Sequence, residues 1–141
     1  MLYKNILVAV DDSEYARKAV EQAVELSALM DSRVTLVHVV VPLNPVAHYE
    51  RLLPMYPEIG EVYDDIGKTI LQESAARFPE EREVSTLLVH GNPAAEILEL
   101  AKDGYDLLVL GSHGSGGRLF TMGSVVSRVV NHTELPVLVV R

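Results

Sequence analysis

Five short apolar runs recur along the chain, and the stretches between them carry helical periodicity. The runs are NILVAV at 5–10, RVTLVHVVV at 33–41, EVSTLLVH at 83–90, YDLLVL at 105–110 and LPVLVV at 135–140. A strand with one wet face alternates apolar and polar residues. A nearly continuous apolar run instead suits a strand buried on both faces, as parallel strands between helical layers are. Strand and helix alternating in this way predict an α/β fold: an open five-stranded parallel sheet with helices on both faces. At 141 residues the chain has the length of one domain, so a single domain is expected over 1–141.

The connecting segments carry their own punctuation. Asp11, Asp12 and Ser13 are three candidate N-caps for the first helix, and the sequence does not choose between them. That helix is expected to run to about Met30, burying a stripe of Ala16, Val20, Ala23, Val24, Ser27 and Met30. Pro42, Pro45, Pro54 and Pro57 mark a long connection, with room for a turn or two of helix over 46–53. A second helix is expected over 58–78, closed by Pro79. Gly91 turns the chain, Asn92 caps, and Pro93 suits the first position of a short third helix ending at Gly104. A fourth helix is expected from about Gly123 to Asn131.

Composition narrows the function. With 48% hydrophobic and 23% charged residues the chain is globular rather than disordered. The longest apolar stretch, 34–41, contains Thr35 and His38 and is far too short to span a bilayer. No basic leader with a cleavage site opens the sequence, so a cytoplasmic protein is expected. There is no cysteine, which removes disulfides and thiolate metal sites. The formal charge of −8 repels phosphate backbones, so nucleic acid is not an expected partner, and with no apolar stretch long enough to span a bilayer neither is a membrane. Any bound anion has to be held by local geometry.

That geometry is offered by LLVLGSHGSGGRLFTMGSVVS at 107–127. An apolar strand stops at Gly111, glycines follow at 114, 116 and 117, and Gly123 precedes Ser124. Open parallel sheets bind ligands beyond the carboxyl ends of their strands, where strand order reverses. A helix start supplies unpaired N–H groups and a partial positive charge. Glycines let amides curl around phosphate oxygens, and the Ser124 hydroxyl adds a donor. The standard phosphate motifs are absent: no Gly-Lys-Ser/Thr occurs, and Leu119 stands where GxGxxG starting at Gly114 needs its third glycine.

Several segments together resemble the universal stress protein family along the whole chain. They are ILVAVDDSEYARKAV, VTLVHVV, HGNPAAEILELAKDGYDLLVLGSHG and GSVVSRVVNHTELPVLVVR. The resemblance implies an adenine nucleotide alpha-hydrolase-like, Rossmann-like sheet of order 3-2-1-4-5, with Asp11 and Gly111 facing each other at the reversal. The family's ATP-binding branch carries Gly-x2-Gly-x9-Gly-Ser/Thr. Gly111, Gly114, Gly123 and Ser124 match it, except that eight residues rather than nine separate Gly114 from Gly123. By resemblance, the backbone around Ala9, Val10, Asp11 and Val39 receives adenine and ribose, and Asp11 accepts from a ribose hydroxyl. Leu110 walls the base, while Gly111, Ser112, Gly114, Gly123, Ser124 and Val125 receive the phosphates. ATP is the implied cofactor, with Mg2+ or Mn2+ held through the phosphates. The family also implies a homodimer through the C-terminal strand, Pro136 to Val140, which hides an otherwise exposed edge.

The residues also have plainer readings. Asp11 is a helix cap, a ligand residue, or both. His113 touches a phosphate or faces solvent. Arg118, the cation inside the loop, reaches the outer phosphates or stands exposed; Arg128 is a weaker candidate. His38 and His90 read as packed or edge residues. No histidine pair has metal-ligand spacing, and Ser115, Ser124 and Ser127 lack an activating context. The leading expectation is thus a nucleotide-regulated stress-response module, against two alternatives. One is a slow ATP hydrolase needing a divalent ion or partner; the other is a protein-interaction module that has lost the nucleotide.

Overall fold

The computed structural model describes residues 3–42, 56–114 and 122–141. The expected helical turn within 46–53, and Ser115, Gly116, Gly117 and Arg118 of the glycine loop, lie outside the described residues. In chain order the elements are β1 (Asn5–Ala9), α1 (Glu14–Met30), β2 (Arg33–Val40), α2 (Tyr56–Ala75), β3 (Val84–His90), α3 (Pro93–Leu100), β4 (Leu107–Gly111), α4 (Ser124–His132) and β5 (Val137–Val140).

The strands form one sheet of order β3-β2-β1-β4-β5, every neighbouring pair parallel. Because side chains alternate along a strand, β1 sends Ile6 and Val8 to one face and Leu7 to the other, and β4 divides Leu107 and Val109 from Leu108 and Leu110 in the same way. The first face packs on α1 and α2 through Ala19, Val20, Ala23 and Leu71. The second packs on α3 and α4 through Ala94, Ile97, Val126 and Val129. Both faces of the sheet are therefore dry, which is why the strands read as continuous apolar runs.

Two details hold the central strands in register. At their amino ends, the Asp106 carboxylate accepts from the backbone N–H groups of Lys4 and Asn5, both at 2.9 Å. At their carboxyl ends, Val10 N–H donates to the Val37 carbonyl at 2.8 Å and Ser112 N–H to the Val140 carbonyl at 2.7 Å.

The structure trims several expected boundaries. α2 begins at Tyr56, two residues early, with Pro57 in its first turn, where the missing N–H has no helical acceptor to lose. It ends at Ala75, after which Arg77 and Phe78 donate three residues back in a tightened turn. Phe78 still reaches the core. α3 ends at Leu100 rather than Gly104, again followed by three-residue turns. Along α1, Ala19 joins the buried stripe, while Val24 and Met30 are only half-buried.

Candidate functional site

The strand order reverses between β1 and β4, which lie side by side and whose crossovers lead to opposite faces. Beyond their carboxyl ends opens a cleft of about 650 Å3. β1 contributes Ala9 and leads into Val10 and Asp11, and β4 contributes Leu110 and Gly111, followed by His113 and Gly114. Gly123, Ser124 and Val125 close the far side at the start of α4, and Val39 enters from β2.

Each of these residues is placed by a local cause. The Asp11 carboxylate folds back to accept from Ser13 N–H (Oδ1, 2.8 Å), and the Ser13 hydroxyl accepts from Ala16 N–H at 3.1 Å. Ser13 is therefore the N-cap of α1, and Asp11 shapes the turn before it. The other carboxylate oxygen, Oδ2, lies 2.9 Å from the point where a side chain on Gly114 would begin. Asp11 and the glycine loop thus meet across the cleft.

Gly111 is small for a different reason. A Cβ there would stand 2.8 Å from the Tyr15 carbonyl carbon, so the missing side chain lets the first turn of α1 lie on β4. Gly123 is not crowded: the nearest atom to a Cβ would be 3.4 Å away, and its φ of −61° suits any residue. What glycine withholds there is a side-chain cap. Gly123 N–H donates to the Ser112 carbonyl at 2.9 Å, but no side chain caps α4, and among the described residues no group claims the amides of its first turn at the cleft.

Ser112 stands behind the wall. It is buried, with its amide bonded to Val140 and its hydroxyl 2.8 Å from His113 Nδ1. His113 is buried too, its ring against Tyr15 at a centroid distance of 4.7 Å. Its Nε2 has no hydrogen-bond partner among the described residues. Arg118 lies outside the described residues.

The sequence reading did not single out Val37, His38, Pro93, Ile97 and Met122 as cleft residues, yet all five line it. The i, i+4 pair Pro93 and Ile97 on α3 was the available signal, since Ile97 shares its core cluster with Val37 and Leu110. His38 is half-buried, and its Nδ1–H donates to the Val10 carbonyl at 2.8 Å, bracing the turn out of β1. The cleft thus combines an apolar side, from β2 and α3, with an amide-rich side at β4 and α4. No lysine or arginine lines it among the described residues. Nor do the described residues hold a cluster of three or more metal-ligating side chains.

The universal stress protein family model matches residues 2–141. The chain belongs to the universal stress protein family. Universal stress protein YxiE of Bacillus subtilis is 31% identical over 148 aligned positions, covering 99% of this chain and all of that one. The solved structure of universal stress protein UspA from Lactobacillus plantarum superposes with a TM-score of 0.81 at 28% identity, covering 100% of this chain and 99% of the other. The universal stress protein from Archaeoglobus fulgidus in complex with dAMP shares the fold at a TM-score of 0.67 and 22% identity, covering the whole of both chains. Structures with bound AMP or cAMP share it as well.

Proposed function

We propose that this universal stress protein binds ATP in the cleft between β1 and β4 and works as a nucleotide-regulated module of the stress response in the cytoplasm. The observation that carries the reading is the uncapped start of α4 at Gly123, opening onto the cleft where strand order reverses. In a chain of net charge −8, unpaired amides are the anion-binding groups that cost no counter-charge. The surrounding residues fit the rest of the molecule. Val37, Val39, Ile97 and Leu110 form an apolar slot suited to a purine, and the Asp11 carboxylate, also lining the cleft, would accept from a ribose hydroxyl. Adenine nucleotides in several members of the fold support the choice of base. A Mg2+ or Mn2+ ion would be carried by the phosphates rather than by a protein cage. A ligand bound against the glycine loop would alter the surface a protein partner sees. The functional unit is a homodimer formed through β5.

The test is Gly123→Asp. An aspartate at this position caps α4 with its own carboxylate and complements the helix dipole, which stabilises the free protein by up to about 1 kcal/mol. The same carboxylate occupies the anion's place. The wild type should gain roughly 2.7 kcal/mol from Mg·ATP at a hundred times its Kd, seen as a clear rise in Tm. The variant should start at least as stable and gain nothing. A wild type that gains nothing leaves the nucleotide-free interaction module as the function. Steady phosphate release proportional to protein concentration would make it a hydrolase instead.

A further inference from the structure

Three buried polar groups meet at the back of the cleft: the Ser112 hydroxyl and the two ring nitrogens of His113. Ser112 is 1% exposed and His113 8%. The hydroxyl and Nδ1 lie 2.8 Å apart, and Nε2 has no partner among the described residues. The proton positions follow from counting donors and acceptors. If Nδ1–H donated to the serine, the hydroxyl proton would need an acceptor of its own, and none stands within reach among the described residues. Nε2 would then be a second buried orphan, a lone pair without a donor. If the hydroxyl donates to Nδ1, its proton is satisfied and the single orphan is an N–H on Nε2. Fewer orphans means a more stable arrangement, so the ring carries its proton on Nε2.

His38 supplies the internal contrast. A carbonyl can only accept, so the Nδ1 of His38 must donate to Val10, and its proton sits on the opposite nitrogen. The same fold thus holds two cleft histidines in opposite tautomers.

We infer that His113 is a fixed hydrogen-bond donor that distinguishes phosphorylated from unphosphorylated nucleosides, and that Ser112 is the positioning residue that keeps the proton on Nε2. The inference rests on the ATP-binding reading above. His113 lines the cleft between Gly111 and Gly114, with Tyr15 packed against its ring. Its N–H is shielded from water, so no solvent bond competes for it. On this inference it is satisfied when a ligand entering the cleft beside the ring displaces what covers Nε2 and brings an acceptor to it. A phosphate oxygen is the acceptor that gains most, because a bond to an ionised partner is roughly twice as strong as a neutral one. A nucleoside without phosphate brings no such charge. An unsatisfied buried donor, costly to the free protein, is explained by the ligand that satisfies it.

The experiment compares adenosine, AMP and Mg·ATP by calorimetric titration against the wild type, His113→Phe, His113→Gln and Ser112→Ala. Phenylalanine keeps the ring packed on Tyr15 and removes the donor. Affinity for AMP and ATP should fall about tenfold to a hundredfold, while affinity for adenosine should stay unchanged. Glutamine, which retains an N–H, should recover part of the loss. Ser112→Ala should weaken ATP less than His113→Phe does. Nitrogen-15 spectra of the imidazoles at alkaline pH give a readout that packing alone does not move. Wild-type His113 should show the proton on Nε2 and His38 on Nδ1, and Ser112→Ala should mix the tautomers of His113 only. A proton found on Nδ1 of wild-type His113 overturns the proposal, as does equal loss of adenosine and ATP in His113→Phe. Wild-type protein that binds ATP while His113→Phe binds it equally well overturns this inference alone. Failure of the wild type to bind any of the three ligands overturns both readings.

Discussion

Three glycines of this chain stand in three different surroundings, and substitution by alanine should separate Gly60 from Gly111. Gly60 lies in α2 with nothing within 4 Å of a Cβ, so Gly60→Ala should raise stability by about 0.5–1 kcal/mol through helix propensity alone. Gly111 faces the opposite case, since its Cβ would meet backbone atoms of Tyr15 at 2.8–2.9 Å, which cannot rotate away. Gly111→Ala should cost about 1–3 kcal/mol by overpacking, with α1 displaced from β4. Urea unfolding with a shared m-value measures both, and a neutral Gly111→Ala would show that the helix start is free to shift. Gly123 is the third: a Cβ there would crowd nothing, and no side chain caps the helix it opens. The sequence showed the cluster of glycines but not this division of labour. Tyr15 is far from Gly111 along the chain, and no local pattern signals their contact. The burial of Ser112 was equally hidden, because its hydroxyl and amide are claimed by a neighbouring ring and by the last strand.

Elements were legible where their cause is local and illegible where it is tertiary. The strands announced themselves because both sheet faces are dry, and Asn92 and Pro93 marked the start of α3, where the Asn92 side chain accepts from Ala95 N–H at 3.0 Å. The ends of α2 and α3 were not marked, since tightened turns after Ala75 and Leu100 keep helix-like composition while leaving the helix. The start of α1 offered three polar residues with equal cap propensity. Geometry divides the work: Ser13 takes the Ala16 amide and Asp11 takes that of Ser13. Ser13→Ala should therefore cost about 1 kcal/mol in the chemical denaturation midpoint. The Asp11 turn holds the carboxylate against Gly114, so the same change should also loosen the site. Asp11→Asn keeps an oxygen for the Ser13 amide and should cost less stability than Ser13→Ala. If the order is reversed, the charge of Asp11 rather than its turn supports α1.

At the scale of the whole molecule, the sheet has two edges of unlike character. β3 exposes Ser85, Thr86 and His90, polar residues that blunt an edge. β5 consists of Val-Leu-Val-Val, each half-buried, with nothing polar to discourage pairing. Its hydrogen bonds to β4 show which of its groups are spent. The carbonyls of Pro136 and Val140 accept from Leu108 and Ser112, so by strand alternation the N–H and C=O of Val137 and Val139 point away from the sheet. A second copy of β5 can pair with them about a two-fold axis, and the homodimer proposed above is the arrangement that satisfies them. Val139→Pro tests this with little harm to the protomer. Proline removes an outward donor while leaving the bonds to β4 in place, and edge strands tolerate it. In sedimentation equilibrium the wild type should run at twice the mass of its 15.5 kDa chain and the variant at that single mass, with helical content unchanged. A variant that stays dimeric would move the interface elsewhere. In that case the exposed apolar residues Val62, Tyr63 and Ile66 on α2 become the next surface to substitute.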